Sequence, residues 1–85
     1  MTSYRVFIAA DVVAFMRRLS RREQQAMTRL LEELAEAPGR TGDYFERDSI
    51  GRPIQVIIRG RLALCFWADH AVKEVKIVDV RPAGR

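Results

Sequence analysis

The order of patterns along the chain predicts an α+β fold. A helical hairpin should pack on one face of a mostly antiparallel sheet of four or five strands, in the order β-α-α-β-β-β with one further strand in reserve. Three observations carry this. Apolar residues between 12 and 34 recur at helical spacing, a serine–glutamate pair interrupts them at 20 and 23, and from residue 44 onward the period changes to that of strands. With 85 residues, the chain is read as one domain spanning 1–85.

The first element is Tyr4 to Ala9, a short run of β-branched and aromatic residues that reads as a strand. Asp11 follows as the expected cap of a first helix, whose apolar residues are Val12, Phe15, Met16 and Leu19. Ser20-Arg21-Arg22-Glu23 fits a capping box, in which the serine oxygen accepts from the third helical amide and the glutamate reaches back to the serine amide. A second helix therefore starts there, with Met27, Leu30, Leu31 and Leu34 as its stripe, and Pro38-Gly39 ends it. So little chain separates the two helices that they form a hairpin.

In the second half, Tyr44 to Asp48 reads as an edge strand and Ser49 to Pro53 as a turn. Ile54 to Ile58, Leu62 to Ala68 and Glu74 to Val80 are strands, broken by Gly60 and by Asp69-His70. Breaks this short favour antiparallel hairpins. Alternation puts Leu62, Leu64 and Phe66 on one face of a strand and Ala63, Cys65 and Trp67 on the other. Both faces are apolar, yet a helical hairpin covers only one. The other is then expected to meet a partner protein, a tail of this chain, or a curved sheet's own long side chains.

Composition is that of a globular protein: 48% hydrophobic and 31% charged residues, with a net charge of +4. Of the 15 basic residues, 13 are arginine, whose planar fork suits phosphate and carboxylate. A lone cysteine, Cys65, rules out an internal disulfide and reads as a packed thiol. Metal ligands at zinc spacing are missing, as are a phosphate loop and a nucleophile elbow, so neither a metal nor a cofactor is expected. With no signal peptide and no apolar run of membrane length, the chain is expected in the cytoplasm, away from membranes.

Taken together, the element order, the helix ending at Pro38-Gly39, the turn at Gly60 and the last strand, Val75 to Arg81, resemble the RelE/ParE superfamily of bacterial type II toxin–antitoxin modules. The resemblance covers roughly residues 4 to 82 and implies a small sheet with a helical hairpin on one face. RelE-like members cleave mRNA on the ribosome; ParE-like members act on DNA gyrase. Both are neutralised by an antitoxin that wraps the toxin. It thus implies a cognate antitoxin as partner, in a hetero-oligomer or beside a homo-oligomer, with the ribosome and mRNA as targets if the chain is an endoribonuclease. RelE-like sequences usually carry an arginine three residues after the glycine of the turn, where this chain has Ala63, and a tyrosine or histidine near the C-terminus, where this chain has Pro82 to Arg85. Those departures leave enzymatic activity open. The alternative is a non-catalytic binder of a protein such as gyrase, or an inactive relative that only pairs with its antitoxin.

Metal-free cleavage of RNA needs a base for the 2′-hydroxyl, cations for the charge gathering on phosphorus, and an acid for the leaving oxygen. Arg81 matches the basic residue ending the family's last strand, and Arg59 and Arg61 flank its glycine, so Arg59, Arg61 and Arg81 are the candidate catalytic cations. Arg47 and Arg52, also at strand ends, are candidate RNA contacts. The competing reading is that strand ends are charged only for solubility. Glu46 and Asp48 share a face of the edge strand and are a candidate base; His70 is another, though a turn histidine needs no role beyond solvation. Arg17, Arg18, Arg21, Arg22 and Arg29 make the start of the second helix basic, against its macrodipole, which suits an acidic protein surface or a phosphate backbone.

Overall fold

A computed structural model describes residues 3–84. Its elements follow the predicted order: β1 (Arg5–Ile8), α1 (Ala10–Arg17), α2 (Arg21–Glu36), β2 (Tyr44–Arg47), β3 (Pro53–Arg59), β4 (Leu62–Asp69) and β5 (Glu74–Pro82). The five strands form one sheet in the spatial order β1-β5-β4-β3-β2. Consecutive strands β2 to β5 pair antiparallel, while β1 lies parallel to β5 with Val6 beside Val75. The helical hairpin is the crossover that lets the first strand reach the far edge.

The capping box forms as the sequence requires. Ser20 Oγ accepts from the Glu23 amide at 3.2 Å, and Glu23 Oε1 accepts from the Ser20 amide at 3.3 Å. Gln24 adds a second lock on the hairpin by donating through Nε2 to the carbonyls of Met16 and Arg17 in the last turn of α1, the first of which also accepts from the Leu19 amide. Asp11 corrects the expectation placed on it. The residue preceding α1 is Ala9, which makes no side-chain cap, and Asp11 sits inside the first turn with Oδ1 accepting from the Val12 amide at 3.0 Å. Its negative charge still favours that end of the helix.

Helical periodicity turns Val12, Met27, Leu30 and Leu34 onto the sheet, where they meet Ile57, Leu62, Leu64, Phe66, Val75, Ile77 and Val80. On β5 these positions break strand alternation, since 75 and 77 are odd and 80 is even. The cause is a bulge. Cys65 lies opposite Asp79 but Phe66 lies opposite Ile77, so Val78 is an extra residue without a partner. Residues after it change face, which returns Val80 to the core and turns Asp79 and Arg81 to the other side.

That other side holds a second, smaller cluster: Ile54, Val56, Ala63 and Cys65, with Ile58, Trp67 and Ala83 packed against it. Both faces of β4 are thus buried, as its sequence required. No helix lies over the second cluster; Ala83, anchored by its amide to the Arg61 carbonyl at 2.8 Å, covers one end of it. No helix among the described residues is long and apolar enough to cross a membrane.

Candidate functional site on the open face of the sheet

Strand parity and register set which charged residues share the uncovered face. β1 contributes Phe7, β5 contributes Lys76, Asp79 and Arg81, β4 contributes Trp67, and β2 contributes Tyr44 and Glu46, whose neighbours Val56 and Ile54 belong to the same cluster. Arg81 is the centre of this group. Its Nη2 donates to Glu46 Oε2 at 2.8 Å and its Nη1 to Asp79 Oδ2 at 3.4 Å. β5 and β2 are three strand spacings apart, on the order of 14 Å in a flat sheet. Glu46 is level with Ile54 of β3 whereas Arg81, through Ala63, is level with Ile58, so a flat sheet would part them along the strands as well. Contact between them therefore requires the sheet to curl, so that the open face is a trough with Arg81 and Glu46 bridging it.

The bond to Glu46 is the main reason that the Arg81 guanidinium holds its proton even more firmly than usual. Beneath it, burial pushes the Cys65 thiol up to about 11, so the sulfur is a neutral packing group. This fits the packed thiol expected of it.

Aromatic rings and cations interleave along the same face. The Arg52 guanidinium lies 4.1 Å from the centre of the Trp67 ring, and Lys76 Nζ lies 4.8 Å from that of Phe7. Lys76 is also bound to Glu74, whose carboxyl it holds below the usual range with help from Arg5. Asp48 lies just past β2, outside the strand, and shapes the turn that delivers Arg52: its Oδ1 accepts from the amides of Ile50 and Arg52. Gly51, at φ 87°, supplies the left-handed step. Beside this end of the sheet a cleft of about 390 Å³ runs between the Pro38–Arg40 loop and the strand ends, lined in part by Arg52, Trp67 and His70.

The candidate cations named from sequence divide between the two faces. Arg59 shares the parity of Ile57 and turns to the helices, where its Nη2 donates to Glu33 Oε1 at 3.0 Å. Arg61, in the turn after Gly60, reaches Glu23 of the capping box at 3.0 Å. These two arginines are the leading cause holding the Glu33 and Glu23 carboxyls below the usual range. Arg47 stays on the outer surface of β2, with Nη1 on the Gly51 carbonyl at 2.9 Å and its guanidinium 5.6 Å from the Phe45 ring centre. Only Arg81 and Arg52 stand on the open face. His70 lies in the β4–β5 turn, at the end of β4 opposite Ala63 and Arg81, with Nδ1 in a 2.8 Å hydrogen bond to the Tyr4 hydroxyl. The Arg81–Glu46 and Arg52–Trp67 pairs went unread in the sequence: the bulge at Val78 reverses the parity that alternation would give Arg81, and Arg52 lies in a turn, outside the strands.

Chemically, the trough offers what a single RNA strand uses: ring faces for stacking, and cations for phosphate. It also places a half-exposed carboxylate, Glu46, against its main guanidinium. No group of histidine, cysteine and carboxylate side chains among the described residues is arranged to hold a metal ion.

Two solved structures share this architecture along almost the whole chain. The archaeal RelE–RelB complex from Pyrococcus horikoshii matches with a TM-score of 0.81 at 19% identity, covering 98% of this chain and 98% of its own. This is the RelE fold. The toxin–antitoxin complex RelBE2 from Mycobacterium tuberculosis matches with a TM-score of 0.78 at 22% identity, covering 99% of this chain and 97% of its own. No protein-family model matches the sequence, and no curated protein matches it either. At these identities the likeness is one of backbone. It bears out the α+β order, the helical hairpin and the sheet, and leaves the chemistry to the residues described above.

Proposed function

We propose that this chain is the toxin of a type II toxin–antitoxin module, neutralised by an antitoxin laid across the open face, and that the same face acts on RNA. In this reading it works in the bacterial cytoplasm, blocking translation by cleaving mRNA on the ribosome. The observation that carries the proposal is the Arg81–Glu46 pair, standing in a curled, helix-free face of a fold shared with two solved toxin–antitoxin complexes.

The pair would divide the work of phosphodiester cleavage. Arg81 exchanges Glu46 for a phosphate oxygen and neutralises the charge that gathers there; Glu46, released, takes the 2′-hydroxyl proton as that oxygen bonds to phosphorus. The bond from phosphorus to the 5′-oxygen breaks, and the leaving oxygen takes its proton from the protonated Glu46 carboxyl or from water. Arg52 on Trp67 and the ring of Tyr44 are then the walls on which neighbouring bases stack. Arg59 and Arg61 support the turn against α2 and have no part in the reaction. The antitoxin would lie on the apolar cluster of the open face and shield Arg81.

One observation favours a second reading. Ala63 is buried beside Arg81 and stands where the RelE resemblance calls for an arginine, so the trough has one cation fewer. A chain of this kind would inhibit a protein target such as gyrase, or only pair with its antitoxin.

Induced expression separates the readings. Growth arrest with truncated mRNA, lost in both Arg81→Ala and Glu46→Gln but retained in Arg59→Ala, supports the ribonuclease. Arrest with intact mRNA assigns a protein target. Absence of arrest from folded protein leaves antitoxin pairing alone.

A further inference from the structure

The open-face cations, and Arg5, Arg40, Arg59 and Arg61 elsewhere, all have partners in this chain. The helical hairpin is different. Arg17, Arg18, Arg21, Arg22 and Arg29 are exposed, and none makes an ion pair or side-chain hydrogen bond among the described residues. They lie at the α1–α2 junction and along the outer side of α2, where Met27, Leu30 and Leu34 occupy the inner side. Arg21 and Arg29 are about 12 Å apart along the axis, two turns and a little more. Between them the surface is polar, formed by Gln25 and Thr28, with Glu32 as the one carboxylate in the same shallow groove.

Two features set this surface apart from a merely solvated helix. Arg21 and Arg22 stand in the first turn of α2, where positive charge opposes the helix dipole, and the last turn carries no basic residue at all. The arrangement is therefore unfavourable to the helix itself. The one acidic side chain of that first turn, Glu23, is already engaged by Arg61 and Ser20. Second, the large exposed apolar side chains are Phe7, Tyr44, Phe45, Ile50, Val72 and Val78, and none lies on this surface; the half-buried apolar groove of Ile8, Val13, Met16 and Leu31 runs along its edge, past Gln24 and Thr28. Protein interfaces have an apolar centre with a polar rim. Apart from Arg17, which itself lines that groove, the five arginines lie outside it, on a polar face that fits a partner held chiefly by charge.

We propose that the outer surface of the helical hairpin binds the phosphate backbone of a nucleic-acid duplex, independently of base sequence. It is a second site, on the side of the molecule opposite the trough, and it stands whether or not the open face cleaves RNA. Arginine forks contact phosphate oxygens on successive turns of α2, and the binding carries the salt dependence of counterion release. Duplex RNA and duplex DNA share this chemistry. A structured-RNA partner predicts tighter binding to A-form geometry; equal affinity assigns a general phosphate contact.

The test is fluorescence anisotropy of the folded protein, with a labelled RNA hairpin and a DNA duplex of the same sequence, across a range of salt. The comparison variant replaces Arg17, Arg18, Arg21, Arg22 and Arg29 with glutamine. The wild type should bind both probes, with log affinity falling linearly in log salt. The variant should lose at least tenfold in affinity, and its slope should shrink by about three or more, since each lost phosphate contact removes about 0.9. Replacing the five with lysine should keep most of the slope. All five side chains are exposed, so folding is checked by an unchanged thermal midpoint. Unchanged affinity and slope in the glutamine variant overturn the proposal. So does an equal loss in Arg52→Ala/Arg81→Ala with the five arginines intact, which would assign duplex binding to the trough.

Discussion

Arg81→Ala should separate stability from function. The side chains of Arg81 and Glu46 are 36% and 45% exposed, so water competes for both ends of their 2.8 Å contact. Measured couplings of exposed ion pairs are about 0.2–1 kcal/mol. Asp79, at 3.4 Å and 47% exposed, adds little more. For a domain of this size, 1 kcal/mol moves the thermal midpoint by roughly 4–8 °C, so the loss of the pair itself should shift it by no more than that. A double-mutant cycle of Arg81→Ala and Glu46→Ala, read by urea unfolding, should give a coupling of about 1 kcal/mol or less. In the same protein, any RNA cleavage should fall by orders of magnitude, because the guanidinium faces the charge that grows in the transition state. A coupling above about 2 kcal/mol would refute the reasoning. The pair would then be a structural clamp across the trough, too tightly held for Arg81 to exchange Glu46 for phosphate.

Three other outcomes follow from the same structure. Leu64→Ala removes a fully buried side chain between the helices and the sheet and should cost about 2–5 kcal/mol in urea unfolding, enough to leave much of a small domain unfolded. Cys65, with its thiol held neutral, should resist iodoacetamide at pH 8 in the folded protein and react once urea opens the sheet. The carboxyls of Glu23, Glu33 and Glu74 are lowered from 4.5, so the unfolded chain takes up their protons first as pH falls. Their contribution should be fully present above about pH 5 and vanish as pH drops through their folded values, and Arg59→Gln/Arg61→Gln should flatten that acid limb in pH-dependent unfolding.

Much of the fold was legible in local patterns. The Ser20–Glu23 pair fixes the helix junction because both of its bonds close within four residues. The apolar alternation of β4 fixes two buried faces because its period is two. What local patterns do not carry is pairing between distant segments: the parallel docking of β1 on β5 depends on where the hairpin delivers the chain, and the Ala9 start of α1 depends on the strand it leaves. In the candidate site, the RelE/ParE resemblance joined Arg59 and Arg61, beside the glycine turn, with Arg81 at the end of the last strand, yet the first two turn their side chains to the helix side of the sheet and Arg81 to the other. Counting parity from Ile57 would have turned Arg59 to the helices. Arg81 could not be placed by the same count, because nothing in Val75 to Arg81 marks the bulge. Glu46 meets Arg81 only because the sheet curls, a property of all five strands together.

The unpaired Val78 gives the last strand an odd residue, and everything downstream inherits its parity. Were Val78 paired in a regular ladder, with no bulge, Arg81 would exchange sides with Val80: the guanidinium would be driven into the core cluster with Leu62 and Leu64, and an isopropyl group would stand before Glu46. Not one residue of the sequence would differ. The trough would lose its central cation and the core would gain one. A single position that touches neither RNA nor antitoxin in any reading given above thus decides whether this small sheet has a basic trough at all.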